Sequence, residues 1–117
     1  MQYTDFNIIT MPRQQPHPRL DQLFGSALRV RLLRLLLDHP LDAWTIPEIH
    51  RRLRIHHTPL KRELENLRTF GIVTMSMNGE NGDPAYQVHT NALLYPELKS
   101  LFLKARLLIE RALVQEI

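Results

Sequence analysis

Basic side chains are concentrated between His50 and Arg68 of the 117-residue chain. This stretch holds six Lys and Arg residues against two acids, a net charge of +4: Arg51, Arg52, Arg54, Lys61, Arg62 and Arg68 against Glu63 and Glu65. The rest of the chain holds nine basic residues against ten acids, a net charge of −1. The positive charge therefore comes from one local patch, which is typical of a domain that presents one face to a polyanion.

The residue types in this patch can contact DNA in two ways. Lys61 and Arg62 are candidates for reading base edges, because arginine can bind guanine bidentately in the major groove. The arginines at 51, 52 and 54 are candidates for phosphate contacts, which position a protein without reading sequence. The whole predicted DNA-binding set is His57, Thr58, Lys61, Arg62, Arg51, Arg52, Arg54 and Arg68.

Other kinds of site find little support. His50, His56 and His57 form a histidine cluster, but adjacent residues point their rings apart in most backbones, so we predict no metal site. The chain has no cysteine, which excludes disulfides and thiolate ligands. It also lacks a glycine-rich phosphate loop and a nucleophile elbow, so we predict neither a cofactor nor an enzyme.

Two short helices joined by a turn must carry the basic patch. Thr45 and Glu48 have the spacing of a capping box, which predicts a helix start there. A second helix is predicted to begin around residues 56 to 58, with leucines at 60, 64 and 67 on one face. The Thr58 hydroxyl can cap that helix or contact DNA, and the sequence leaves both roles open. Gly71 suits the left-handed position that closes the helix.

The remaining elements surround this pair. Ser26 is a predicted N-cap for an apolar helix over 27–38, which we place near the centre of the domain. Residues 41–44 can form a minimal strand, and residues 72–77 and 85–89 predict a β-hairpin with a long tip. A last helix is predicted over about 95–115, with apolar residues on more than one stripe. The second stripe predicts a partner helix from another copy of the chain.

At the level of the whole chain, composition predicts one soluble domain, since 44% of residues are hydrophobic and 23% charged. We assign residues 20–117 to that domain and residues 1–19, which contain three prolines, to an extended or partly disordered arm. No run of apolar residues reaches membrane-spanning length, and the N-terminus does not resemble a signal peptide. We therefore expect a cytoplasmic protein.

Taken together, these elements predict a mainly α fold with a small β-hairpin. The order and spacing of several short strings resemble ArsR-like winged helix-turn-helix regulators over about residues 23–108. The strings are LFGS (23–26), RVRLLRLLL (29–37), RELENL (62–67), GIV (71–73) and YPEL (95–98). The resemblance implies that the second helix of the pair enters the major groove, that the hairpin is a wing, and that the C-terminal helix makes a homodimer.

The wing departs from that pattern. Wings of this type usually carry Arg or Lys near the tip, whereas residues 78–83 contain Glu80, Asp83 and no basic residue. We predict a dimeric regulator of bacterial or archaeal type that binds double-stranded DNA at a palindromic operator, with repression as the simpler mode of action. The alternative is a winged-helix module that binds a partner protein, with weak or no DNA binding.

Overall fold

The computed structural model describes residues 24–115, so the predicted arm at 1–19 lies outside the described residues. Within that range the chain forms four α-helices and a three-stranded sheet. The helices are α1 (Ala27–Asp38), α2 (Ile46–Leu53), α3 (His57–Thr69) and α4 (Tyr95–Gln115). The strands are β1 (Trp44–Thr45), β2 (Val73–Ser76) and β3 (Ala85–Val88), with a short 3-10 turn at Glu80–Gly82 between β2 and β3.

Helix α1 forms the centre of the core, as its apolar composition predicts. Ser26 caps it, because the Ser26 hydroxyl accepts a hydrogen bond from the Arg29 backbone N–H at 3.1 Å. Six of its twelve residues are buried: Val30, Leu32, Leu33, Leu35, Leu36 and Leu37. A helix buried over so much of its circumference must be covered on several sides, here by α3, the sheet and α4.

The sheet contains one strand more than the predicted hairpin. Its strand order is β1-β3-β2 with antiparallel pairing throughout, and Tyr86 of β3 pairs with Trp44 on one side and Met75 on the other. The minimal strand predicted over 41–44 is displaced to Trp44–Thr45, since residues 41–43 are exposed and only the last two residues reach β3. Strand β2 is one residue shorter than predicted at each end, and β3 begins at the predicted residue and ends one residue earlier.

The predicted capping box at the start of α2 is confirmed. The Thr45 hydroxyl accepts from the Glu48 backbone N–H at 3.4 Å, and the Glu48 carboxylate accepts from the Thr45 backbone N–H at 2.8 Å. Thr45 is buried, and Ile49 one turn further on is fully buried. The box therefore fixes where α2 starts and which face it turns inward.

Helix α4 lies against the core along only part of its surface. Phe102 is buried, and its ring centroid lies 6.0 Å from that of Phe24. Arg106 donates to the Asp38 carboxylate at 3.0 Å, which joins α4 to the end of α1. Among the helices of residues 24–115, none has the length and apolar character needed to cross a membrane.

We predict that Thr45→Val lowers the free energy of unfolding by about 1 kcal/mol, because it removes the capping oxygen while keeping the buried methyl group. Urea unfolding followed by circular dichroism measures the change. Thr90→Val is the control, since Thr90 is exposed and lies outside the helices and strands. Equal stability of Thr45→Val and the wild type would contradict a stabilising cap.

Candidate nucleic-acid interface

Helix α3 has one buried and one exposed face. Leu60, Leu64 and Leu67 are 0%, 0% and 4% exposed, so they fix the rotation of the helix about its axis. Lys61 and Arg62 are consequently exposed. Within residues 24–115 neither side chain forms a hydrogen bond or ion pair. Both are therefore available to a ligand that approaches this face.

The start of α3 rules out one of the two roles that the sequence leaves open for Thr58, the helix cap. His56, not Thr58, occupies the N-cap position, and no side chain caps the helix there. Thr58 lies inside the first turn and is exposed. The capping role considered for Thr58 is therefore wrong, because the chain enters the helix two residues earlier. Its hydroxyl is left at the surface, beside Lys61 in the first turn and a half of α3.

The turn between α2 and α3 is held by backbone conformation and one histidine. Arg54 ends α2 in the left-handed region, at φ 59°, and its N–H bonds the His50 carbonyl at 2.8 Å. The His50 ring Nδ1 lies 2.8 Å from the Ile55 carbonyl oxygen, so this nitrogen must carry the proton and donate. The His57 ring packs edge-on against the His50 ring with centroids 4.7 Å apart. His50 thus links the end of α2 to the first residue of α3.

The basic side chains of α2 and the turn are all exposed, but their surroundings differ. The Arg52 guanidinium lies 5.5 Å from the centre of the Trp44 ring, a cation–π distance. Arg51 and Arg54 are exposed and form no side-chain hydrogen bond or ion pair with any other described residue. No described residue therefore holds the charges of Arg51 and Arg54 in place, whereas the Arg52 guanidinium lies against the Trp44 ring.

At the other end of α3, Arg68 is engaged. It donates to the Glu65 carboxylate at 3.3 Å, and the second oxygen of Glu65 accepts from the Tyr86 hydroxyl at 3.4 Å. Burial, followed by the charge of Glu65, raises the pKa of Tyr86 above its ordinary value. These contacts tie the last turns of α3 to β3. Of the predicted DNA-binding set, Arg68 is the member with an ion-pair partner among the described residues.

The buried acid of α3, Glu63, pairs with an arginine of α1. Glu63 is 7% exposed, and its carboxylate accepts from Arg29 Nε of α1 at 2.6 Å. A second Arg29 nitrogen lies 3.3 Å from the other oxygen, so the contact is bidentate. This hydrogen bond and the charge of Glu63 raise the pKa of Arg29 above its ordinary value. The pair joins α3 to α1.

The tip of the hairpin meets the starts of α2 and α3 in one groove of about 330 Å³. Asp83 and Pro84 of the tip lie on one side of it, and the helices contribute Ile46, Pro47, His57, Thr58 and Lys61. Three members of the predicted DNA-binding set therefore share a groove with an acid from the wing. The acid is evident from the sequence, but its place beside the helix pair depends on tertiary packing and leaves no local signal.

The described residues contain no group of three His, Cys, Asp or Glu side chains that could hold a metal ion. The histidine cluster considered from the sequence is also used differently. His50 and His57 are in ring contact, and one nitrogen of His50 is already bonded to a carbonyl oxygen. Their arrangement serves the turn between the helices.

Comparison with known structures identifies the fold. The chain superposes on a mutant of S. aureus MepR with a TM-score of 0.55 and 20% sequence identity, over 100% of this chain and 85% of MepR. The fold is a winged helix-turn-helix. Neither a scan of protein-family models nor a comparison with curated proteins gives a match. The likeness to MepR establishes the architecture, with α2 and α3 as the helix pair and β2–β3 as the wing, and leaves the ArsR-like resemblance without support at the level of family.

We predict that Tyr86→Phe flattens the alkaline fall in stability. Because the folded pKa of Tyr86 is raised above 10, the unfolded chain loses this proton at lower pH than the folded chain. The folded state is favoured by this group below pH 10 and loses that contribution as pH rises through the folded pKa. Urea unfolding between pH 8 and pH 11 measures the slope.

Glu65→Gln is the companion variant, since it removes one cause of the shift and leaves burial in place. It should flatten the slope less than Tyr86→Phe does. An unchanged slope in Tyr86→Phe would show that this hydroxyl does not contribute to the pH dependence.

Proposed function

We propose that this protein is a sequence-specific DNA-binding transcriptional regulator that acts as a dimer on a palindromic operator. The observation that carries the proposal is the exposed surface of α3, which includes Thr58, Lys61 and Arg62, while the leucines of the same helix are buried. A helix that projects basic and hydroxyl side chains from the second position of a helix-turn-helix is suited to enter the major groove. Lys61 and Arg62 would then reach base edges.

Charge supports the same ligand. The patch from His50 to Arg68 carries +4 on a body that is otherwise near neutral, and all eight predicted contact residues are exposed. Phosphate contacts from Arg51 and Arg54 would supply the part of the affinity that does not depend on sequence. Arg52 and Arg68 would add less, because each already has a partner among the described residues.

The dimer is proposed from α4. Its inner side packs on the core through Phe102, but Leu103, Leu107 and Leu108 are 54%, 46% and 51% exposed. Exposed leucines grouped on one helix favour a partner surface. The same helix of a second copy would cover them in a twofold arrangement. Two α3 helices could then enter successive major grooves about 34 Å apart.

The shared fold agrees with this role, since a helix-turn-helix presents its second helix to the major groove of DNA. At 20% identity the likeness transfers no contact residue and no operator. Repression is the simplest mode of action, because a dimer seated on a promoter excludes polymerase. A regulator of this kind works in the compartment that holds the DNA, so we place the protein in the cytoplasm.

We predict that Arg62→Ala and Arg51→Ala weaken DNA binding in different ways. Loss of a base contact at Arg62 should cost about 1–3 kcal/mol on the operator and relax specificity. Loss of a phosphate contact at Arg51 should weaken all sequences similarly and reduce the salt slope by about one. The two effects are separated by fluorescence anisotropy over a range of salt concentrations. One duplex is recovered by selection from random sequences, and the other is a scrambled version of it. Equal affinity of Arg62→Ala and the wild type would remove Arg62 from readout.

A second prediction concerns assembly. Leu103→Glu combined with Leu107→Glu should convert the protein to a monomer, because two charges would be buried at the α4 contact. Analytical ultracentrifugation measures the mass, and operator affinity should fall with it. Leu41→Glu is the matched control, since Leu41 is 86% exposed and lies outside α4. A wild-type monomer at micromolar concentration would contradict the dimer.

The second candidate function is a protein-interaction module, and the acidic wing favours it. Residues 78–83 carry two acids and no base, which suits a basic protein partner better than a phosphate backbone. Anisotropy with DNA upstream of the protein's own gene decides between the two. Binding below micromolar concentration at low salt supports the regulator. Absence of binding, together with co-purification of one defined partner, supports the module.

A further inference from the structure

The tip of the wing is shaped by backbone hydrogen bonds alone. Gly79 N–H donates to the Asp83 carbonyl at 2.9 Å, and Asp83 N–H donates to the Glu80 carbonyl at 3.1 Å. Asn81 and Gly82 complete the turn in the left-handed region, at φ 62° and 75°. Neither carboxylate of the tip takes part in these bonds. The negative charges of Glu80 and Asp83 are therefore not required by the turn itself.

The tip is also anchored to the helix pair. A Cβ atom at Gly79 would lie 2.7 Å from the Thr45 side-chain methyl and 2.4 Å from the Asp83 carbonyl oxygen. Only glycine permits this approach, because real Cβ contacts are not so short. Thr45 is the N-cap of α2, so the tip is seated against the start of that helix. Asp83 consequently has a fixed place relative to α2 and α3.

That place is the groove at the start of α3. Asp83 lines it together with Thr58 and Lys61, and its carboxylate makes no hydrogen bond or ion pair with any other described side chain. Lys61 and Asp83 line the same groove, and salt at 0.1 M screens an exposed charge over about 10 Å. Any group of DNA that contacts Lys61 therefore also interacts electrostatically with the Asp83 carboxylate.

We propose that Asp83 is a specificity-determining residue that acts through repulsion of phosphate. The inference rests on the proposed function. In a non-specific complex, which is held by phosphate contacts, the carboxylate faces a phosphate without a partner. In the specific complex it accepts a hydrogen bond from a base amino group, such as N4 of cytosine, next to the base contacted by Lys61. The charge of Asp83 therefore weakens the non-specific complex more than the specific complex.

Two substitutions separate charge from hydrogen bonding. Asp83→Asn removes the charge and keeps an acceptor oxygen, whereas Asp83→Ala removes both. The turn should survive in each case, since it uses only backbone groups of residue 83. Glu97→Gln is the matched control, because it removes one exposed carboxylate from the first turn of α4, on a different groove.

Anisotropy with a duplex recovered by random-sequence selection, and with a scrambled duplex, measures both affinities. For Asp83→Asn we expect scrambled-duplex affinity to rise about three- to tenfold at low salt, with the gain shrinking as salt screens the charge. Selected-duplex affinity should change much less, so the specificity ratio falls. Asp83→Ala should show the same gain on scrambled DNA and a loss on the selected duplex. Glu97→Gln should leave the ratio unchanged.

Three results would overturn the inference. One is an unchanged or lower scrambled-duplex affinity in Asp83→Asn, which would show that the carboxylate does not repel phosphate. Another is an equal gain on both duplexes, which would make Asp83 a general electrostatic brake without a part in specificity. The third is failure of the wild type to bind any duplex, which would overturn the proposed function as well. If the wild type binds DNA and Asp83→Asn has the same specificity ratio as the wild type, this inference is overturned and the proposed function is not.

Discussion

The burial of Leu60, Leu64 and Leu67 in the core is the constraint on which the rest of the arrangement depends. These three side chains are at most 4% exposed, and their burial determines the rotation of α3 about its own axis. A rotation that exposed one of them would cost about 2 kcal/mol of hydrophobic burial for that residue. The Arg29–Glu63 pair holds the same helix from a second direction. The exposed face of α3 is therefore a consequence of the core.

Local geometry then decides what lies around that face. The left-handed Arg54 and the His50 hydrogen bond set the turn between α2 and α3. The close approach of Gly79 to Thr45 brings the wing against the same helix start. Lys61 and Asp83 become neighbours in one groove because two separate short-range contacts are satisfied at once. The groove therefore carries charges of both signs, whereas the surrounding surface of α2 and α3 is basic.

Local signals in the sequence were sufficient for most of the helices. Ser26, the Thr45 box and Gly71 each act within a few residues, so the elements they bound were predicted well. Contacts between distant residues were not accessible in that way. The pairing of β1 with β3 and the seat of the wing on Thr45 depend on tertiary packing. The Thr58 cap was wrong because His56 takes that position without a side-chain hydrogen bond, which leaves no signal in residue type.

The central claim, that the exposed face of α3 binds duplex DNA, is tested most directly by nuclear magnetic resonance. Uniformly ¹⁵N-labelled full-length protein would be titrated with a selected duplex, and backbone amide shifts would be followed residue by residue. If this face binds DNA, the largest shifts lie over His57–Arg62 and around Arg51–Arg54, with small shifts on the core side of α4. Shifts confined to α4 or to Leu41 and Phe70, or no shifts at low salt, would contradict it.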